Sequence, residues 1–408
     1  MGHISVMEAL NLIKTIRSPI QEIEEVPIEH TLGRTLAQTI RARADAPPFP
    51  RAAMDGYALR SQETPGIFKI QGQINAGDIF TNPVPGGHAV RIMTGAPIPW
   101  ELDTVIEQEA VIKHDESIDI DKTVSTSRNI SQKGSEITSG QIVLSPGQRL
   151  APPEIGILAL SGYEYVKVYT RPRVLLITTG NELQNPGEKL RPAHIYNVNR
   201  YLFTTLLTET GAIVDKTPHA MDCLQSVEKA FADLSSYDLV ISTGGVSVGD
   251  KDHVIQYLNE NTHVLFRWID MHPGKAMAAA QRDNVPILAL SGNPGAALTA
   301  WFLVVLPYLV SLFGARLSVR QVTGRLLHPF NKVTRETRYL RSRLVVKDGE
   351  IFFDQNLPQG SDIITPYRQA DVFAIIPQGS PKLPANTMLN ALMIPGLGQT
   401  GLNWEPDN

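Results

Sequence analysis

The chain has 408 residues, with 37 Lys and Arg against 41 Asp and Glu for a net charge of −4. That length exceeds a single hydrophobic core, and 42% apolar with 19% charged residues is a folded composition. No positive excess exists to draw nucleic acid or an anionic membrane, and the lone Cys223 can form neither an internal disulfide nor a thiol metal site, which fits a cytoplasmic, reducing location.

The N-terminus, Met1-Gly2-His3-Ile4-Ser5, has no basic stretch followed by an apolar run, so no signal peptide is expected. Over residues 5–17, Val6, Leu10, Ile13 and Ile16 repeat at helical spacing. Residues 1–40 and 145–170 read as N-terminal helical and linking segments. Between them, residues 41–144 change texture: short β-type runs at 66–70, 89–92 and 103–106 alternate with Gly and Pro, as in a β-rich insert.

Residues 171–318 alternate buried strands with helices. Val174–Thr178, Ala212–Val214, Asp238–Ser242 and Pro286–Leu290 read as strands; 199–210, 225–234 and 253–259 read as helices. Such alternation predicts an α/β fold, a mostly parallel sheet covered on both faces. The uncharged run Ala296–Phe313 imitates a membrane span but reads better as a core helix, interrupted at Pro307. Residues 319–408 return to short strands around Tyr339–Arg341 and Val372–Ile376, a small C-terminal β-domain.

In a doubly wound sheet the ligand sits beyond the carboxyl ends of the strands. Three glycine-rich turns would meet there: Thr179-Gly180-Asn181-Glu182, Thr243-Gly244-Gly245-Val246-Ser247-Val248-Gly249-Asp250-Lys251-Asp252, and Ser291-Gly292-Asn293-Pro294-Gly295. Gly244, Gly245 and Gly249 let backbone N–H groups approach a ligand, and with the hydroxyls of Thr243 and Ser247 they suit a phosphate. The plain alternative is a strand-to-helix turn capped by Asp250. Neither a Walker A loop nor a dinucleotide fingerprint is present. Glu182, Asp250 and Asp252 at the same rim would repel a phosphate unless a cation such as Mg²⁺ lay between. Lys275, in His272-Pro273-Gly274-Lys275, would neutralise an anion.

Met54-Asp55-Gly56-Tyr57-Ala58, Arg91–Pro99 with Thr94 inside it, Thr179–Leu183, Gly244–Asp250 and Gly292-Asn293-Pro294 together resemble MoeA and the E domain of gephyrin, in order along essentially the whole chain. The resemblance implies a multidomain α/β subunit. A MogA-like three-layer α/β/α domain would carry the β-rich insert and the small C-terminal β-domain. It also implies a homodimer that takes adenylyl-molybdopterin from the adenylylating protein. The pyrophosphate is cleaved with Mg²⁺, molybdate is inserted with release of AMP, and the product passes to downstream molybdenum-cofactor proteins. By motif, Asp55 and Thr94 would complete the neighbouring subunit's site. Glu182, Asp222 and Asp252 would surround substrate and Mg²⁺, with Glu182 and Asp252 as metal ligands. Ser247, Asp250 and the adjoining glycines, with Asn293 and Pro294, would cradle the pterin phosphate. Lys275, Arg341 and Ser361 would mark the anion end.

The chain departs from the family pattern at Ser131, Ser135, Asn197, His272, Ser291, Gly295 and Asp371. These changes remove positive charge and rearrange acids. They keep open a non-catalytic molybdopterin-binding or scaffold paralogue, and also an enzyme that inserts tungstate. Without the resemblance, Arg341 would read as a surface strand residue and Asp222 as a loop or capping residue.

Overall fold

The computed structural model describes residues 3–217, 219–246, 252–315 and 320–394. The chain falls into two compact units. Met1–Glu24, Gly33–Thr35 and Tyr169–Asn408 form one; Glu25–Leu32 and Leu36–Val168 form the other.

The first unit is built on a six-stranded sheet. Its order is Ile213–Lys216, Arg173–Thr178, Leu239–Thr243, Val285–Leu290, Ala276–Arg282, His263–Trp268. The first four strands pair in parallel and the last two pairings are antiparallel. Successive side chains on a strand point to opposite faces. Val174 and Leu176 accordingly join one apolar cluster with helix Val198–Glu209, whereas Leu175 and Ile177 join another with helices Leu224–Ala230 and His253–Asn261. Burial on both faces explains why these strands read as continuous apolar runs.

Helix Val6–Lys14 starts at a capping box between Ser5 and Glu8 and buries Ala9, Leu10 and Ile13 in the first of these clusters. The N-terminal helix therefore folds with the sheet domain.

The apolar run expected as a core helix spans Pro294–Leu312 and is 89% buried. Pro307 does not interrupt it. The chain passes through a π-helical turn at Trp301–Val305 and resumes as α-helix at Leu306–Leu312. The wider turn relaxes the ladder just where proline has no N–H to donate.

Gln321–Leu326, Glu350–Asp354, Arg338–Lys347, Val372–Ile376 and Met388–Met393 close, in that spatial order, into a five-stranded barrel. Leu326, Leu340, Phe353, Val372, Ala374 and Ala391 are part of its core.

In the second unit a six-stranded sheet runs Thr104–Glu107, Gly56–Leu59, His88–Ile92, Gly66–Ile74, Ser117–Ile120, Ile112–Lys113. Ala58, Val90, Ile92 and Val105 pack on one face and Tyr57, Leu59, Ala89 and Ile106 on the other. Gly56 pairs opposite Glu107, and a Cβ there would sit 1.9 Å from the Ile106 carbonyl oxygen. Only glycine allows that approach. Helix Pro152–Leu160 follows, with Leu158 packed against Leu36, Ile40, Leu144 and Val166.

Candidate functional site

Strand Arg173–Thr178 has Ile213–Lys216 on one side and Leu239–Thr243 on the other. Strand order therefore reverses here, which is where an open parallel sheet leaves a crevice beyond its carboxyl ends. A cleft of about 800 Å³ lies there, lined by all three glycine-rich turns together with Tyr196, Asn197, Asn199 and Asp362.

The floor depends on missing side chains. Gly244 has φ +96° and Gly245 φ +65°. A Cβ on Gly244 would fall 2.5 Å from Thr179 Oγ1 and 2.6 Å from the Thr179 carbonyl oxygen. Two turns thus meet backbone to backbone, leaving room for a ligand. Beneath them, the buried Asn197 donates from Nδ2 to Thr178 Oγ1 at 2.8 Å and accepts from the Arg200 N–H at 3.1 Å, capping helix Val198–Glu209. Asn199 donates to the Gly292 carbonyl oxygen at 2.8 Å. Its Oδ1 is buried without a hydrogen-bond partner in the structure.

Glu182 and Asp222 line the cleft together. A Cβ on Gly180 would lie 2.7 Å from both carboxylate oxygens of Glu182, so glycine leaves space for that side chain. The Asp222 N–H donates to Asn181 Oδ1 at 2.9 Å, tying its loop to the first turn. Asp252 takes the cap position of helix His253–Asn261 and is not among the described lining residues. Among the described residues, no three His, Cys, Asp or Glu side chains converge as a metal site. Ser247, Gly249 and Asp250 lie outside the described residues.

The barrel supplies the far wall. Asn293 and Pro294 line the cleft, and Asn293 Nδ2 donates to Ser361 Oγ at 3.3 Å. Arg341 is no surface residue: it is 0% exposed. Its guanidinium donates to the Ile363 carbonyl oxygen at 3.1 Å and to that of Gly360 at 3.0 Å, and it lies 5.2 Å from the Tyr367 ring centroid. The face opposite the barrel interior is covered by the 359–363 loop, whose carbonyls satisfy the buried charge. Arg341 therefore shapes the wall without lining it.

Lys275 is tied to Glu336 at 2.9 Å and does not line the cleft. The Lys275 ammonium holds the Glu336 carboxyl below its usual range. Burial, and then the nearby Arg338 charge, push His272 down and favour its neutral form.

In the second unit the backbone N–H and the hydroxyl of Thr94 both donate to Asp55 Oδ1 at 2.7 Å. These two bonds hold the Asp55 carboxyl below its ordinary value. The two residues expected to act together are thus one hydrogen-bonded pair.

Sequence reasoning passed over Asn199 and Asp362. Asn199 has a weak signal, a polar residue in the first turn of a helix that leaves this rim. Asp362 has none, because the loop that carries it has no periodicity.

Family models match the chain in three stretches: the MoeA N-terminal region (domain I and II) over residues 4–162, a probable molybdopterin binding domain over 175–311, and the MoeA C-terminal region (domain IV) over 323–392. A molybdopterin molybdenumtransferase of Staphylococcus epidermidis is 32% identical over 403 residues, covering 96% of this chain and 95% of the relative. One from Staphylococcus aureus is 33% identical over 387 residues, covering 92% of each. A crystal structure of a molybdopterin biosynthesis MoeA protein from Pyrococcus horikoshii OT3 aligns with TM-score 0.77 at 25% identity, over 96% of this chain and all of that one. On full-length identity and the match of all three regions, this chain belongs to the MoeA family.

Proposed function

We propose that the chain is a molybdopterin molybdenumtransferase that cleaves adenylyl-molybdopterin, releases AMP and inserts molybdate into the dithiolene in a Mg²⁺-dependent reaction. The carrying observation is the cleft at the switch point of the sheet, where the Gly244-Gly245 backbone is open beside the carboxylates of Glu182 and Asp222. A phosphate suits such a turn, but these carboxylates repel it.

The donor set fits a hard cation: carboxylates of Glu182 and Asp222 beside the hydroxyls of Thr179 and Thr243, with no thiol or imidazole among the lining residues. Mg²⁺ is commonly held by one or two carboxylates together with phosphate oxygens and water. Bound there, the ion supplies charge neutralisation and polarisation of the pyrophosphate. Glu182 and Asp222 would hold it, and Asp252 follows the glycine-rich turn as a further acid in the same segment. Gly244 and Gly245 admit the phosphates. Water adds to a pyrophosphate phosphorus and AMP departs; molybdate then exchanges oxygen for the two dithiolene sulfurs, releasing water. Asp55 and Thr94 act in the cleft of a partner subunit in a homodimer, which takes its substrate from the adenylylating protein in the cytoplasm.

The test is molybdate-dependent release of AMP from adenylyl-molybdopterin. Glu182→Gln is expected to lower the rate about a hundredfold or more. An unchanged rate in both Asp55→Ala and Asp252→Ala would sink the residue assignment. Mixing inactive Asp55→Ala and Glu182→Gln subunits is expected to restore part of the activity; no recovery in a mixed dimer would place both residues in one site. The lowered basicity of His272 and the tied Lys275 favour a second reading, a scaffold that binds molybdopterin without turnover. Tight binding with no AMP release would select it. Competition between molybdate and tungstate decides the metal.

A further inference from the structure

We infer that Asp362 sets how tightly the cleft takes up an oxyanion, by holding a fixed negative charge at the barrel end. The inference rests on the proposed reaction, in which a dianionic oxyanion must enter this cleft. Asp362 lines the cleft and is exposed. Glu182, Asp222 and Asp362 are the charged side chains among the described lining residues; no Lys, Arg or His is among them.

The position of Asp362 is built, not incidental. On one side of it, the Gly360 carbonyl oxygen accepts from Arg341 at 3.0 Å; on the other, that of Ile363 accepts from the same guanidinium at 3.1 Å. Between them, the Ser361 carbonyl oxygen accepts the Ala296 N–H at 2.8 Å, pinning the loop to the start of the long helix. The helix has a glycine at the contact: a Cβ on Gly295 would lie 2.5 Å from the Ile363 carbonyl oxygen and 2.8 Å from that of Ser361. The backbone carrying Asp362 is thus fastened on both sides.

The nearby cations do not line the cleft, although the buried Arg341 guanidinium interacts with the Asp362 carboxylate. Arg341 spends its donors on backbone carbonyls at a site with no solvent exposure. Lys275 is paired with Glu336. What lines the cleft at this end is neutral, Asn293 and Ser291, with Asp362 opposing an oxyanion. In a water-like medium, one negative charge about 6 Å from a dianion weakens its binding about tenfold.

The experiment is molybdate binding to the full-length chain by equilibrium dialysis, at low salt and at about 0.5 M salt, where screening is strong. Asp362→Asn is expected to tighten binding about tenfold at low salt, an advantage that shrinks at high salt. Asp362→Ser should behave alike, and Asp362→Glu should resemble the parent. Asp348→Asn makes the same change of net charge on an exposed turn outside the cleft and should change nothing. In turnover, the molybdate KM should fall with kcat unmoved. Equal affinity in the parent and both neutral variants, or equal tightening in Asp348→Asn, would overturn the inference while leaving the proposed reaction standing. No molybdate binding by any form would overturn both.

Discussion

The reason for a glycine at Gly295 is steric. Adding a methyl group places Cβ 2.5 Å from the Ile363 carbonyl oxygen, 2.8 Å from that of Ser361 and 3.2 Å from an Arg341 nitrogen. Ordinary contact begins at 3.4 Å, so the loop must retreat about 0.9 Å, the difference between 3.4 and 2.5. Two of the obstacles are backbone and the third is a buried guanidinium held by the Ile363 and Gly360 carbonyls, so none can rotate aside. Overpacking of this kind costs about 1–3 kcal/mol, and loss of the Ala296 N–H bond to Ser361 adds about 1 kcal/mol. Gly295→Ala is therefore expected to destabilise the sheet-and-barrel unit by about 2–4 kcal/mol, and Gly295→Val by more. Urea unfolding followed by tryptophan fluorescence reads this, since Trp301 is buried in the same unit. A Gly295→Ala protein within about 0.5 kcal/mol of the parent, the range of an ordinary surface change, would refute the reasoning. The tight approach of loop to helix would then not be a constraint.

Thr94→Val deletes one of the two donors that depress the Asp55 carboxyl, so Asp55 should titrate closer to an ordinary aspartate, read by carboxyl carbon NMR. The sign is that of an acid with a lowered folded pKa: its stabilisation is present above the ordinary aspartate value and is lost as pH falls through the folded value, a window that narrows in the variant. His272 is a base pushed down by burial, so the unfolded chain takes its proton first as pH falls. Stability should drop as pH falls through about 6.5, and His272→Gln should flatten that slope in unfolding measured across pH; an unchanged slope counts against it. Asn197→Ala removes a helix cap and leaves the buried Thr178 hydroxyl without its donor, an expected loss of about 1–3 kcal/mol by denaturant unfolding.

What the sequence disclosed tracks how strongly each element depends on its own residues. Strands Arg173–Thr178, Leu239–Thr243 and Val285–Leu290 are buried on both faces, and such strands must be apolar throughout, so they are legible. The edge pair His263–Trp268 and Ala276–Arg282 was not. Its second strand reads Ala-Met-Ala-Ala-Ala-Gln-Arg, a helix-favouring run held extended by its place beside Val285–Leu290. The proline in the long helix read as a break because a sequence does not show the π turn that accommodates it. The glycine turns were legible because close backbone approach demands glycine whatever surrounds it. Arg341 was not, because its burial depends on a loop about twenty residues away that supplies the carbonyls.

Two of the departures, His272 and Gly295, meet the barrel. Burial pushes His272 toward its neutral form, and the next cation in that segment, Lys275, is committed to Glu336. Gly295 lets the barrel loop come down until the Ser361 carbonyl oxygen meets the Ala296 N–H. The first disfavours positive charge at that end; the second fastens there the loop that carries a carboxylate, Asp362. Their electrostatic effects have one sign, so they do not cancel. A cleft altered this way must obtain its positive charge from what binds in it. Between two members of one family, the measurable difference then lies in oxyanion affinity and its dependence on salt and Mg²⁺, more than in recognition of the pterin. Restoring one charge alone, as in His272→Lys, sets a second cation beside Arg338 at a half-buried position and should lower stability without recovering oxyanion affinity.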